Sequence, residues 1–237
     1  MAVYCLSDIH GMAGAFHKML EVIRFGPKDT LYVIGDVIDR GEEGIALLRE
    51  IMEMENAVML LGNHEYMMLE ALRPGATPTE IGHWQRNGCL PTIAAFEALP
   101  GPERKRILDY LRSLPDCLDV TVRGTRYFLV HGFPGENTHD AVWNRPRDSA
   151  QENPLPGRQV IVGHTPVPFL IARNEIQEEA YFRRLEQENR HVEILRAPGF
   201  IDIDCGCGHS APGCCLACLR LDDGMAFYVP GRRGVDA

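Results

Sequence analysis

Five short motifs carry residue types from which a metal-dependent site can be built: Asp8-Ile9-His10-Gly11, Gly35-Asp36-Val37-Ile38-Asp39-Arg40-Gly41, Gly62-Asn63-His64-Glu65, His131-Gly132 and Gly163-His164. Asp8 and His10 stand two apart, so on an extended segment both reach one ion from the same side. Carboxylate, imidazole and amide oxygen together suit a divalent transition cation such as Mn²⁺, Fe²⁺ or Zn²⁺. The thiolates expected of a structural zinc site are missing from these motifs. Glycines beside the candidate ligands other than Asp8 permit tight turns and close approach of a substrate. Taken singly, each motif has a plainer explanation: an isolated Asp-x-His is more often a turn before a capped helix. His17, His83, His139 and His191 have no motif around them and read as surface or cap residues.

The elements that must position these groups follow from hydrophobic spacing. Residues 3–6, 30–34 and 57–61 are short apolar or β-branched runs that read as strands. Between them, Phe16, Met19, Leu20 and Ile23, then Ile45, Leu48 and Met52, recur at helical spacing. Gly26-Pro27 ends the first helix. A β-α-β-α-β order implies parallel strands joined by right-handed crossovers. Asp8, Asp36 and Asn63 then fall at the carboxyl ends of three strands pointing the same way, the edge where open parallel sheets bind ligands. Residues 74–115 are rich in Pro and Gly and broken into short helical pieces, such as 93–99 and 107–114, and read as a small helical cap. From Cys117 onward the chain is β-rich. Strands are expected at 120–122, 127–130, 160–162, 200–204, 216–221 and 225–229, with hairpin turns at Arg123-Gly124 and Asp222-Asp223-Gly224. They are expected to form a second, mostly antiparallel sheet packed on the first. The fold class is α/β, with two packed mixed sheets flanked by helices in a four-layer α/β/β/α sandwich.

With 237 residues and 45% hydrophobic content, the chain is read as one domain spanning 1–237. The net charge of −9, from 33 acidic and 24 basic residues, argues against nucleic acid or an anionic membrane as a partner. A phosphate-bearing substrate would need local cations to offset that charge. The N-terminus lacks the basic and apolar regions of a secretory signal, and no apolar run is long enough to span a bilayer. The expected location is the cytoplasm, where the eight cysteines are expected to be reduced thiols or metal ligands rather than disulfides.

In order and spacing, the motifs resemble the metallophosphoesterase superfamily, and within it the bacterial branch of the phosphoprotein phosphatases, close to symmetrical diadenosine tetraphosphatases. The shared pattern is D-x-H, G-D-x-x-D-R-G, G-N-H-E and two later histidines, over roughly residues 4–221. The resemblance implies two divalent cations, Mn²⁺ first among them with Fe or Zn possible, held by Asp8, His10, Asp36, Asn63, His131 and His164. Asp8 and His10 would hold the first cation and Asn63, His131 and His164 the second. Asp36 would bridge them, supplying the shared anionic ligand that two neighbouring cations need. The reaction implied is in-line attack on phosphorus by a water or hydroxide bridging the two metals, whose pKa such bridging lowers. His64, paired with Asp39, would protonate the leaving oxygen. Arg40 would clamp phosphate oxygens. Arg145, in Trp143-Asn144-Arg145-Pro146, resembles the second phosphate-binding arginine of this branch. Asn63 would also face substrate.

Three substrate readings follow. The first is phosphoserine or phosphothreonine in proteins. The second is a dinucleoside polyphosphate or other small phosphoester. The third is a non-catalytic metal-binding scaffold, disfavoured because Asp39, Arg40 and His64 are all retained. The Cys205-Gly206-Cys207-Gly208-His209 and Cys214-Cys215-Leu216-Ala217-Cys218 segments have the look of a zinc or redox cluster. The preferred reading is that these small apolar thiols fill a tight core. By resemblance the loop 208–213 lies over the metals, so that His209 or Ser210 touches substrate. The charged stretch 173–195 reads as an inserted helix or hairpin projecting from the body, and the motifs leave the oligomeric state open.

Overall fold

The computed structural model describes residues 1–172 and 174–231. Arg173, the first residue of the expected insertion, and residues 232–237 of the expected domain lie outside the described residues. The first third runs β1 (Val3–Leu6), α1 (Ala13–Val22), β2 (Thr30–Ile34), α2 (Gly44–Glu53), β3 (Ala57–Leu60) and α3 (Asn63–Leu72). Three helices follow, α4 (Pro78–Arg86), α5 (Leu90–Glu97) and α6 (Gly101–Ser113). The remainder is β4 (Cys117–Val122), β5 (Thr125–Val130), α7 (Thr138–Trp143), β6 (Gln159–Val162), α8 (Val167–Ile171), α9 (Glu175–Glu188), β7 (Leu195–Arg196), β8 (Ile201–Asp202), β9 (Cys215–Arg220) and β10 (Ala226–Pro230).

Among the described residues there are two five-stranded sheets, ordered β10-β9-β1-β2-β3 and β4-β5-β6-β8-β7. The pairs β1–β2 and β2–β3 are parallel, as the alternating pattern requires. The membership of the later strands corrects the sequence reading. β9 and β10 leave the second sheet and extend the first, with β9 antiparallel to β1 through Tyr4 opposite Arg220 and Leu6 opposite Cys218. Five of the six β9 residues are buried without alternation, as in a central strand covered on both faces. The second sheet is mixed rather than mostly antiparallel, since β5–β6 and β6–β8 are parallel. The reason lies in the connections: α7 joins β5 to β6, and the α8–α9 excursion joins β6 to β8. Such crossovers return the chain in the same direction.

Side-chain alternation sorts the layers. Cys5, Ile34, Leu60, Leu129, Ile161 and Leu219 share the core between the sheets. Leu6, Leu31 and Val33 face the opposite side, against Phe16 and Met19 of α1 and Leu47, Leu48 and Ile51 of α2. Val130, Val160 and Val162 pack outward on Phe133, Phe200 and Ala141 of α7. Each fully buried side chain of this size contributes roughly 1.5–3 kcal/mol. The 173–195 stretch contains α9, which docks through buried Leu185 on Val167, Val192, Cys205 and Cys215. Among the described residues no helix is long and apolar enough to cross a membrane.

Candidate metal centre

Where β1, β2 and β6 end, the chain must turn within a residue or two. Asp8, His10, Asp36, Asp39, Arg40 and His164 do so in the left-handed region, with φ between 49° and 69°. For non-glycine residues that conformation costs of order 1–3 kcal/mol each and persists only where the surroundings enforce it. Several hydrogen bonds enforce it here. Asp8 N–H donates to Gly35 O at 3.2 Å, His10 N–H to Asp36 O at 2.9 Å, and Gly41 N–H to His10 O at 3.0 Å. The buried Glu65 carboxylate accepts from the backbone N–H groups of Asp36, Val37, Ile38 and Gly62 at 2.9–3.2 Å. Gly62 is needed for close approach: a Cβ there would lie 2.3 Å from Asp36 Oδ1.

The six expected ligands, at or after strand ends of both sheets, come together, all buried. Asp36 is common to two ligand clusters, His10–Asp36–His64 and Asp36–His131–His164, whose ligand atoms lie within 4.8 Å of one another. Asp36 Oδ2 is 3.7 Å from His10 Nε2, and Oδ1 is 3.3 Å from His131 Nε2. Asn63 Oδ1 also faces His131 Nε2, at 2.9 Å. Asp8 stands beside the first cluster, with Oδ1 3.8 Å from His10 Nε2. Its other oxygen accepts from Ser7 Oγ at 2.6 Å and His164 N–H at 3.0 Å. The rings are oriented from behind, His10 Nδ1 against Ile38 O at 3.2 Å and His131 Nδ1 against Ile34 O at 2.8 Å. His164 Nε2 is buried without a hydrogen-bond partner. A buried orphan nitrogen is costly unless something else engages it. Together with the carboxylate, imidazole and amide donors around Asp36, it fits a pair of divalent cations.

Burial pushes Asp36 upward, but the His131 and His64 imidazoles overcome this and hold its carboxyl well below the usual range. His131 moves the other way: burial lowers it, but the Asp36 charge raises it further. Burial lowers His164 to about 2, helped by His131 and Arg145, and raises Asp8. The shared carboxylate thus favours the charged form of His131, whereas burial keeps His164 neutral.

Beside the clusters, His64 Nδ1 lies 2.7 Å from Asp39 Oδ2. Burial alone would lower the His64 pKa; Asp36 and the hydrogen bond to Asp39 reverse that and raise it. Arg40 Nη2 reaches His64 Nε2 at 3.4 Å, and Arg40 Nη1 reaches His209 Nε2 at 3.2 Å. Arg145 Nη1 donates to Thr165 Oγ1 at 2.9 Å, on the turn after His164. The loop that follows β8 closes over the centre: a Cβ at Gly208 would lie 2.7 Å from the His10 ring.

Several partners escaped the sequence reading. Trp84 of α4 donates its indole N–H to Asp39 Oδ2 at 2.8 Å, and Thr92 of α5 accepts from Asp39 N–H at 2.9 Å. Neither position carries a local signal. Glu65 does carry one, because Gly62 and Glu65 have capping-box spacing at the start of α3. His83 and His139 gather around Trp143: the His83 ring stacks on the indole at 5.2 Å and 21°, and His139 is tilted at 6.3 Å. The eight cysteines are free thiols. No cysteine joins a three-ligand cluster among the described residues. Burial pushes the Cys205 and Cys207 thiols well up, away from the thiolate needed for metal or redox chemistry.

The model of the calcineurin-like phosphoesterase family matches residues 1–211. The chain is 36% identical over 133 residues to the symmetrical bis(5'-nucleosyl)-tetraphosphatase of Acidovorax ebreus, covering 55% of this chain and 43% of that protein. The enzyme of the same name from Chromobacterium violaceum is 32% identical over 133 residues, with 55% and 43% covered. The chain therefore spans less than half the length of these curated relatives. Among solved structures, a metallophosphoesterase from Sphaerobacter thermophilus aligns with a TM-score of 0.58 at 16% identity, covering 98% of this chain and 89% of that one. A protein serine/threonine phosphatase from Saccharomyces cerevisiae aligns at 0.56 and 13%, covering 100% and 82%. Those two likenesses are of fold. The family match over residues 1–211 takes in every candidate ligand, and on it the chain belongs to the calcineurin-like phosphoesterases.

Proposed function

We propose that the chain is a two-cation phosphohydrolase acting on dinucleoside polyphosphates. The observation that carries the hydrolase reading is Asp36, shared by both ligand clusters, with the Asp39–His64 pair and Arg40 alongside. Asp8, His10 and Asp36 would hold one cation, and Asp36, Asn63, His131 and His164 the other. Such cations supply a water of lowered pKa and offset the charge on phosphorus. Arg40 and Arg145 bind phosphate oxygens through their planar forks, and the Asn63 amide also faces substrate. Asp39 accepts the Nδ1 proton and fixes the His64 ring, so that Nε2 faces the departing oxygen and donates a proton to it.

The substrate choice reverses the order taken from sequence. Its support is the tetraphosphatase name of the similar proteins, with 36% and 32% identity over 133 residues. Phosphoserine or phosphothreonine in proteins is the second reading, supported by the complete G-D-x-x-D-R-G and G-N-H-E set. The test is a comparison of kcat/KM on diadenosine tetraphosphate and on a phosphoserine peptide, with Mn²⁺ supplied. A kcat/KM at least tenfold higher on the dinucleotide is the expected result, and a preference for the peptide would overturn the substrate choice.

A further inference from the structure

Beside the metal centre, α3, α4 and α7 enclose a cleft of about 550 Å³, lined by Tyr66, Met67, Glu70, Glu80, His83, His139 and Trp143. That volume is in the range of small-molecule sites, roughly 300–1,000 Å³. Its lining is unusual in being built from flat rings. Tyr66 and His139 meet edge to face at 6.2 Å, and His83 lies nearly parallel on the Trp143 indole. Trp143 in turn stands edge-on to His164 at 5.8 Å, so the cleft opens next to a candidate ligand. Its charged groups are carboxylates: Glu70 and Glu80, both tethered by Arg73. A phosphate group entering there would meet two acids against one guanidinium, whereas Arg40 and Arg145 wait on the metal side. A neutral planar group with N–H donors meets the opposite situation, because the rings offer stacking faces and the carboxylates accept.

We infer that this cleft is a subsite for a purine base, which stacks among Tyr66, Trp143 and the two imidazoles while its phosphates lie toward Arg40 and the cations. A base taking the indole face would replace the His83 ring now stacked on it. The acids steer the anionic end of the substrate out of the cleft and thereby fix which phosphate reaches the metals. The assignment deepens the dinucleotide reading and rests on it for the order of base and phosphates, but base binding can be measured without turnover.

The experiment uses the full chain and adenosine as the probe, followed by calorimetry or saturation-transfer NMR. Adenosine is expected to bind, and Trp143→Leu and Tyr66→Leu are each expected to weaken it by roughly 5- to 150-fold, the range of base–aromatic stacking. In parallel, the ratio of kcat/KM for diadenosine tetraphosphate to that for base-free inorganic tripolyphosphate should fall by a similar factor in both variants. No adenosine binding at millimolar concentration, or an equal loss on both polyphosphates, overturns the subsite. Trp143→Leu weakening a phosphoserine peptide while leaving adenosine binding intact also overturns it and makes the cleft a peptide groove. If adenosine binds and both variants weaken it, yet neither polyphosphate is hydrolysed, the subsite stands and the proposed hydrolysis falls.

Discussion

Asp39 and His64 are joined by a 2.7 Å hydrogen bond in which both partners are buried, and the same Asp39 oxygen also accepts the Trp84 indole N–H. The ring is thus held from one side by an acid that is itself held by a helix beyond the candidate metal centre. Asp39 Oδ1 has no partner of its own, so Oδ2 carries the interaction.

This arrangement makes His64→Ala selective in its effect. Turnover should fall by roughly 10²–10⁴ on an alkyl phosphate, whose alkoxide must be protonated as it leaves. The loss should be smaller on p-nitrophenyl phosphate, whose leaving group is stable as an anion. Metal content measured by mass spectrometry should change little. Equal losses on the two esters would show that His64 is not the acid.

Sharing of Asp36 sets up a second expectation. Asp36→Ala should take bound Mn²⁺ from about two per chain toward zero, whereas His10→Ala and His164→Ala should each leave about one. Independent sites would instead lose a single ion in all three variants.

Glu65 sits out of reach of substrate but holds the turn that carries Asp36. In Glu65→Gln one oxygen becomes an NH₂ facing backbone N–H groups that need an acceptor. The expected cost is about 2–4 kcal/mol of stability, read by urea denaturation. Burial and the nearby Asp36 charge raise the Glu65 pKa to about 7. A variant as stable as the parent would mean the carboxylate is protonated and that its four contacts are dispensable.

His209 can hold Arg40 only as a neutral acceptor. Burial and the Arg40 charge lower its pKa to about 4. The folded value is therefore below the ordinary 6.5, so the unfolded chain takes up this proton first and the stability contribution is lost as pH falls from 6.5 toward 4. NMR of the ring nitrogens should show His209 neutral at pH 5.5. His209→Ala should raise KM for phosphate esters by about tenfold, in line with the loss of one hydrogen bond to a charged group. Titration near 6.5 with unchanged KM would remove His209 from the site.

The sequence alone determined the first sheet's parallel core and which residues gather at its carboxyl edge. Period-2 and period-3.6 spacing fix β1–α1–β2–α2–β3, and a strand's direction fixes where Asp8, Asp36 and Asn63 emerge. His131 and His164 were legible for the same reason, each following an apolar run. Contacts with no local signature were decided only by the tertiary structure. Nothing in the Cys215–Arg220 run says which sheet accepts it, because an edge of either sheet offers the same backbone hydrogen bonds; burial of both its faces, beside β1, settles the matter. Trp84 and Thr92 reach Asp39 from 45 and 53 residues away, His209 reaches Arg40 from 169, and the rings of Tyr66, His83, His139 and Trp143 meet only when three helices pack together. Candidate ligands at strand ends are placed by the backbone's own periodicity, whereas their supports are placed by packing between elements, which no single window of sequence contains.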